Sequence, residues 1–196
     1  VSAGSDDVIC ETETHRLFGS ILNSVLGVQW QTLGTGNFSD NAVFNPEYLP
    51  GAEDIEKGEV QLVFTGLSLN NCVDVKDTMT LKIEPQAEVF AGEDAWVCES
   101  DEFVLAEASM KNAQKIEWTT SGTGIIVDTE LLNAIYIPSE ADVLNGSVEL
   151  KITHFSQGTC ETVSDKMILN ISKRPKGNAG PDISTCFGQE IMLKGP

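Results

Sequence analysis

The sequence contains five cysteines, and their thiols could form disulfides, bind metals or act as nucleophiles. They are Cys10, Cys72, Cys98, Cys160 and Cys186. Cys10, Cys98 and Cys186 follow one another at intervals of 88 residues, and the same interval separates Cys72 from Cys160. None belongs to a Cys-x-x-Cys pair or has a histidine at ligand spacing, so the pattern does not predict a zinc site. Isolated cysteines at a repeating interval predict disulfides and an oxidising, extracellular location.

The cysteine spacing leaves two pairing schemes open. The preferred scheme joins Cys10 to Cys72 and Cys98 to Cys160, within each repeat, and leaves Cys186 unpaired because the third repeat is incomplete. The rival scheme joins Cys72 to Cys98 and Cys160 to Cys186 across the junctions. We favour the first, since a bridge across a junction requires a loop at the far end of one repeat to reach into the next.

Other reactive side chains do not predict an enzyme. His15 and His154 stand at non-equivalent positions and lack an evident nucleophile, so we expect surface or edge histidines. No carboxylate pair is marked out for acid–base catalysis.

Calcium binding is a separate hypothesis, because carboxylate oxygens are its preferred ligands, although no EF-hand spacing is present. No other cofactor is expected. The candidate ligands are Asp6, Asp7, Asp40, Asp54, Glu56, Glu84, Glu88 and Asp94. For Asp54 and its equivalent Asp142 we prefer a structural role, bracing the short turn before Gly58 and Gly146.

The 88-residue interval extends well beyond the cysteines. The stretch from Trp30 to Gly36 recurs from Trp118 to Gly124, with a tryptophan followed by a Gly-Thr-Gly turn in both. Self-similarity at a fixed period is typical of repeat proteins. We therefore predict that Trp30 and Trp118 are equivalent core residues of two copies of one module.

Short alternating segments predict the fold of each copy. Residues 28–31 and 60–65 alternate between apolar and polar side chains, as a half-buried strand does, and 78–83 form a last strand. Residues 1–4, 6–10, 16–19 and 45–50 are further candidate strands, and 51–56 predict one helical turn. The sequence predicts tandem antiparallel, immunoglobulin-like β-sandwiches of about seven strands each.

The module boundaries follow from the period and from two short proline-containing links. We predict one repeat over residues 1–86, a second over 87–175, and the start of a third over 176–196. Short links of this kind favour a semi-rigid array, so each repeat's first partners are its neighbours in the same chain.

A formal charge of −18 limits the partners of the protein. Such a surface repels nucleic acid and anionic lipid head groups. No apolar run approaches the length of a membrane span, so we expect no membrane insertion. Trp96 replaces Val8 at the equivalent position, and it is interpreted either as packing at the junction or as an exposed anchor for sugar or protein.

Several motifs of the first repeat together resemble a known family. They are Ala3-Gly4-x-Asp6, Cys10, residues 28–39, Asn45-Pro46-x-Tyr48-x-Pro50, Asp54-x-x-x-Gly58 and residues 77–83. The arrangement resembles the tandem polycystic-kidney-disease-like (PKD-like), immunoglobulin-like repeats of Bacteroidetes cell-surface adhesins. It is most similar to the mobile adhesins of gliding motility that the type IX secretion system exports. The second repeat departs from the pattern where Asn-Ala-Ile-Tyr replaces Asn-Pro-x-Tyr.

This resemblance implies structural stalk modules of a large repetitive cell-surface adhesin, without catalysis, that take part in surface attachment and gliding motility. The expected adhesion target is a surface polysaccharide or another surface component. The alternative is a carbohydrate-binding accessory module of a secreted polysaccharide-processing protein. Glycan binding by the isolated chain distinguishes the two.

Overall fold

A computed structural model describes residues 1–22, 25–68, 72–180, 182–190 and 192. The described residues form two short helices and sixteen strands. The first half contains β1 (Asp7–Cys10), β2 (His15–Arg16), β3 (Gly27–Thr32), β4 (Asn37–Phe38), β5 (Glu47–Leu49), α1 (Ala52–Lys57), β6 (Glu59–Leu67) and β7 (Val75–Glu84). The second half contains β8 (Glu88–Phe90), β9 (Ala95–Cys98), β10 (Phe103–Val104), β11 (Ser109–Lys111), β12 (Ile116–Thr120), β13 (Ile125–Val127), β14 (Ile135–Ile137), α2 (Glu140–Asn145), β15 (Ser147–His154) and β16 (Val163–Ser172).

The first sandwich is built from two sheets. One sheet has the strand order β1-β7-β6-β3 and the other has the order β2-β5-β4. The pairs are antiparallel except that β1 runs parallel to the last strand β7, with Cys10 opposite Glu84. This parallel pair places Cys10 at the end of the sandwich where the chain leaves for the second half.

The second sandwich repeats this arrangement 88 residues later. Its sheets have the orders β9-β16-β15-β12 and β10-β14-β13, and β9 again runs parallel to the last strand, with Cys98 opposite Ser172. A further pair, β8 with β11, has no counterpart among the named strands of the first sandwich, where a single bridge joins Ser2 to Ser20. The predicted class of tandem immunoglobulin-like β-sandwiches is confirmed.

Each sandwich has its own hydrophobic core. Trp30 and Trp118, the predicted core markers, are fully buried in equivalent strands, and each donates its indole N–H to a backbone carbonyl, that of Phe44 or that of Leu131. The apolar faces of β6 and β15 supply equivalent sets. They are Val60, Leu62 and Phe64 in the first core and Val148, Leu150 and Ile152 in the second.

Several sequence-based element boundaries shift in the structure. The predicted strand over 1–4 is reduced to the bridge at Ser2, and the strand predicted over 16–19 ends at Arg16. The link between the sandwiches is shorter than expected, because β7 continues to Glu84 and β8 begins at Glu88. Residues 85–87 alone connect the two. The longest described helices have six residues, and the described part of the chain has no helix that combines the length and apolar character needed to cross a bilayer.

Candidate functional site

The cysteine pairing differs from both schemes predicted from the sequence. The structure joins Cys10 of the first sandwich to Cys160 of the second, with a Cα–Cα distance of 4.8 Å. Cys72 and Cys98, expected in bridges, are free and exposed, and so is Cys186. The prediction of Cys10–Cys72 and Cys98–Cys160 bridges was therefore wrong.

Strand direction explains why the pairing within a repeat fails. β7 runs ten residues from the loop that contains Cys72 to Glu84, which lies opposite Cys10. At ~3.3 Å per residue these two cysteines lie at opposite ends of the sandwich, roughly 30 Å apart, whereas a disulfide requires Cα atoms within ~7 Å. Cys160 lies in the β15–β16 loop, at the end of the second sandwich that faces the first, and is therefore within reach of Cys10.

Polar contacts around the disulfide hold the link residue Gln86 from both sides. Its backbone N–H donates to Glu11 Oε1 of the first sandwich at 3.0 Å. Its side-chain amide donates to the carbonyl of Glu161, and its own carbonyl accepts from the Asn112 side chain, both at 3.1 Å. The next link residue, Ala87, is buried. The connection between the sandwiches is thus packed and hydrogen-bonded, which restricts hinge motion.

Glu84 adds a second contact between the sandwiches. Its Oε2 accepts from the backbone N–H of Thr159 at 2.9 Å and from the Thr159 hydroxyl at 3.1 Å. A side chain at Gly158 would collide with the same carboxylate oxygen, so the glycine allows the loop to approach. This carboxylate, proposed as a calcium ligand, instead fixes the loop that presents Cys160.

An open cleft of about 760 Å³ lies beside this junction. Its lining includes Glu84 from the first sandwich, and Lys115, His154 and Phe155 from the second. His154 is buried, contrary to the expected surface or edge position, and its Nδ1 lies 2.7 Å from the carbonyl of Lys115. His15 lies outside this cleft, and its Nε2 is 3.8 Å from Asp7 Oδ2.

A buried aspartate braces the Gly-Thr-Gly corner in each sandwich. In the first, Asp54 accepts the backbone N–H groups of Thr35, Gly36 and Gly51, each at 2.9 Å, and the Tyr48 hydroxyl at 2.7 Å. Asp54 is 1% exposed. A buried carboxylate is stable only when it is hydrogen-bonded in this way. The contact to Gly51 confirms that Asp54 braces the short turn before Gly58, whereas its contacts to Thr35 and Gly36 in the Gly-Thr-Gly corner were not predicted.

The equivalent Asp142 makes a closely related set of contacts. It accepts the backbone N–H groups of Thr123 and Ser139 and the hydroxyls of Ser139 and Tyr136, at 2.8–2.9 Å. The glycine of the corner, Gly122, leaves space for the carboxylate, because a Cβ there would collide with Asp142 Oδ1. The motif found in the sequence is therefore a turn shaped around a buried carboxylate.

The hydrogen bonds to these aspartates shift pKa values. Burial alone would raise the pKa of Asp142, but the donors from Ser139, Thr123 and Tyr136 outweigh it and lower the pKa to about 2. The same balance lowers the pKa of Asp54. Burial, together with the neighbouring carboxylate, raises the pKa of Tyr136 to about 12.

These shifts predict that the second sandwich loses stability in acid. Because the folded pKa of Asp142 is below its unfolded value of 3.8, its contribution is complete above about pH 5, falls mostly between about pH 4 and pH 2, and is fully lost only below about pH 2. The lost contribution is about 2.5 kcal/mol. Urea unfolding from pH 7 to pH 2, followed by Trp118 fluorescence in a Trp30→Phe, Trp96→Phe background, measures it. An Asp142→Asn variant with the same pH dependence as the parent would contradict the assignment.

Helix α2 has a side-chain cap that α1 lacks. Ser139 Oγ accepts the backbone N–H of Asp142 at 3.2 Å. The residue that precedes α1 is Gly51, and Thr35 occupies the space that a side chain would need there. We expect Ser139→Ala to destabilise the second sandwich by about 1–2 kcal/mol, because the cap and the hydroxyl contact to the carboxylate are both lost. Urea unfolding with Glu140→Ala as the exposed control checks this, and equal stabilities of the two variants would contradict it.

The remaining calcium candidates do not converge on one site. In the ranges that the structure covers, no three carboxylate, histidine or cysteine side chains lie close enough to hold a metal ion. Asp6 and Asp94 occupy equivalent positions and each accepts one backbone N–H from the last strand, that of Thr80 or that of Ile168. Asp54 is already saturated with N–H and O–H donors.

Comparisons with known proteins find likeness at the level of fold. No family model matches the chain, and no curated protein matches it. A three-domain immunoglobulin segment of titin is 10% identical, with a TM-score of 0.48, and covers 87% of this chain and 64% of its own. The first four cadherin repeats of Drosophila N-cadherin are 14% identical, with a TM-score of 0.45, covering 87% of this chain and 48% of theirs. Protocadherin gammaB7 repeats 3–6 are 12% identical, with a TM-score of 0.43, and the match covers 87% of this chain and 46% of the protocadherin chain.

The chain thus spans about half the length of the cadherin chains that it resembles. At these identities the likeness is one of fold alone.

Proposed function

We propose that the chain forms structural modules in the stalk of an extracellular adhesion protein. Residues 1–86 and 87–175 are two complete modules, and 176–196 begin a third. The observation that carries the proposal is the Cys10–Cys160 bridge, which joins two separate cores across a link of three residues. In this proposal the covalent cross-link between the modules transmits force and fixes the angle between them.

The cross-link also supports an extracellular location, since disulfides persist in oxidising compartments. The strongly negative surface keeps such a stalk soluble and prevents its association with nucleic acid. Within this proposal the finer assignment is a large repetitive cell-surface adhesin of the Bacteroidetes type, acting in surface attachment and gliding. Its partners are its own neighbouring modules and a surface polysaccharide or other adhesion target.

Small-angle X-ray scattering on the whole chain tests the mechanical role. We expect the oxidised chain to fit one fixed angle between the sandwiches, and we expect reduction to broaden the distribution of angles. The matched control is Cys98→Ser, which removes an exposed free thiol and leaves the scattering unchanged. An oxidised chain as flexible as the reduced one would contradict a role for the bridge in stiffness.

A carbohydrate-binding module is the second candidate, and the exposure of Trp96 favours it. This side chain is 72% exposed on β9, so it does not pack in the junction and is free to stack on a sugar ring. Glycan-array binding that is lost in Trp96→Ala would support this function. Absence of binding, together with a stiff scattering profile, would favour the stalk.

A further inference from the structure

We propose that Cys98 and Cys72 each form a further disulfide with a neighbouring module. Cys98 pairs with the cysteine of the last hairpin loop in a following module, and Cys72 pairs with the first-strand cysteine of a preceding one. The disulfides then form a ladder in which every module is cross-linked to the next. This inference rests on the proposed tandem array and extends it to the bonding between modules.

The backbone around Cys98 has the same form as the backbone around Cys10. Each cysteine ends a short strand parallel to the last strand of its sandwich. The residue after each donates to the last strand, Glu11 to Glu84 at 2.9 Å and Glu99 to Ser172 at 3.0 Å. In both sandwiches, the backbone N–H of the residue three positions after the cysteine donates to the cysteine carbonyl at 3.0 Å. Cys98 therefore presents its thiol in the geometry that already supports a disulfide at Cys10.

The two positions differ in what covers them. Cys10 is 1% exposed, because the loop of the second sandwich lies over it, while Cys98 is exposed. The link residues differ in burial in the same way. Ala87 is buried at the first junction, whereas the equivalent Pro175 is exposed. Cys72 is exposed in the β6–β7 loop, at the position equivalent to Cys160. In the proposed array a preceding module covers it, as the first sandwich covers Cys160.

The sequence identifies the module that fits on the Cys98 end. Ala179-Gly180 and Cys186 continue the 88-residue spacing of Ala91-Gly92 and Cys98, so the following segment begins another copy of the same unit. Ser172 replaces Glu84 at this second junction, so the carboxylate contact to the loop is not repeated. The cysteine pair is the element that both junctions share.

Formation of the bridge requires an oxidant, which we take to be a thiol–disulfide oxidant such as oxidised glutathione or a dithiol oxidoreductase. The Cys98 thiolate attacks one sulfur of this disulfide and releases the first thiolate. The partner cysteine then attacks Cys98 Sγ of the mixed disulfide and releases the second. Two protein thiols are oxidised to one disulfide, and one oxidant disulfide is reduced to two thiols.

A doubled chain tests the proposal with natural modules. Residues 1–176 are followed directly by a second copy of residues 1–176, so the new junction keeps the 88-residue period. After oxidation in a glutathione buffer, a non-reduced digest is expected to link Cys98 of the first copy to Cys72 of the second. Of the eight cysteines, two remain as free thiols, compared with four when the new bridge is absent.

The same digest contains its folding control, because each copy must show its own Cys10–Cys160 link. Cys98→Ser in the first copy is the matched variant, and it is expected to raise the free thiols to three. Four free thiols with both Cys10–Cys160 links intact would overturn the ladder. A Cys72–Cys98 peptide pair that persists in the first-copy Cys98→Ser variant would also overturn it, because the proposed bridge between copies cannot form there. If the second copy lacks its own link, the chain of 196 residues is instead extended by a copy of residues 109–176, and the added equivalent of Cys160 must pair with Cys98. The disulfide mapping does not depend on the scattering test. If the natural chain is stiff but the new bridge does not form, the stalk proposal stands and the ladder is rejected.

Discussion

Replacing Asp142 with alanine is expected to destabilise the second sandwich by about 4–5 kcal/mol. The substitution removes the acceptor of four hydrogen bonds, from Thr123, Tyr136 and twice from Ser139, and Asp142 itself is fully buried. Each donor left buried without a partner costs about 1–3 kcal/mol, and partial relaxation reduces the sum. Urea unfolding followed by far-UV circular dichroism measures the loss.

The matched control is Glu140→Ala, an exposed carboxylate in the first turn of the same helix, which is expected to change stability by less than about 1 kcal/mol. Asp54→Ala is expected to have the same effect on the first sandwich and little on the second, because the two cores are separate. A loss below about 1 kcal/mol for Asp142→Ala would show that the carboxylate is not needed to hold the corner.

Replacing both Cys10 and Cys160 with serine is expected to lower the summed free energy of unfolding by about 5 kcal/mol. The bridge spans 150 residues, and on the chain-entropy model a loop of this size restricts the unfolded chain by roughly that amount. The measurement is urea unfolding of the double variant beside the parent chain.

Cys98→Ser is the control for the chemical change, and it is expected to alter stability by no more than about 0.5 kcal/mol, since this thiol is exposed and free. Treatment of the parent chain with a phosphine reductant should reproduce the double variant. A double variant as stable as the parent would mean that the bridge contributes only to the angle between the sandwiches.

The repeat and the strands were predictable because they depend on local pattern. An offset of 88 residues aligned Trp30 with Trp118, and both lie in equivalent core strands. Alternation of apolar side chains located β6 and β7 to within about two residues at most boundaries. The role of Asp54 in the short turn was also predictable, because an aspartate four residues before a glycine indicates a side chain that braces the turn.

The disulfide was not predictable from cysteine spacing, because spacing does not tell which end of a sandwich a loop occupies. That information lies in the parallel pairing of β1 with β7, which places Cys10 beside the outgoing link. A short first strand paired in parallel with the last strand leaves little signal in the sequence. With that pairing known, Cys160 is the partner that the topology brings to Cys10.

Peptide mapping of the unreduced, alkylated protein tests the central claim most directly. We predict one disulfide-linked peptide pair, which joins the segment of Cys10 to the segment of Cys160, with Cys72 and Cys98 alkylated as free thiols. A link between Cys10 and Cys72 would contradict the cross-linked junction, and with it the mechanical role that we derive from it.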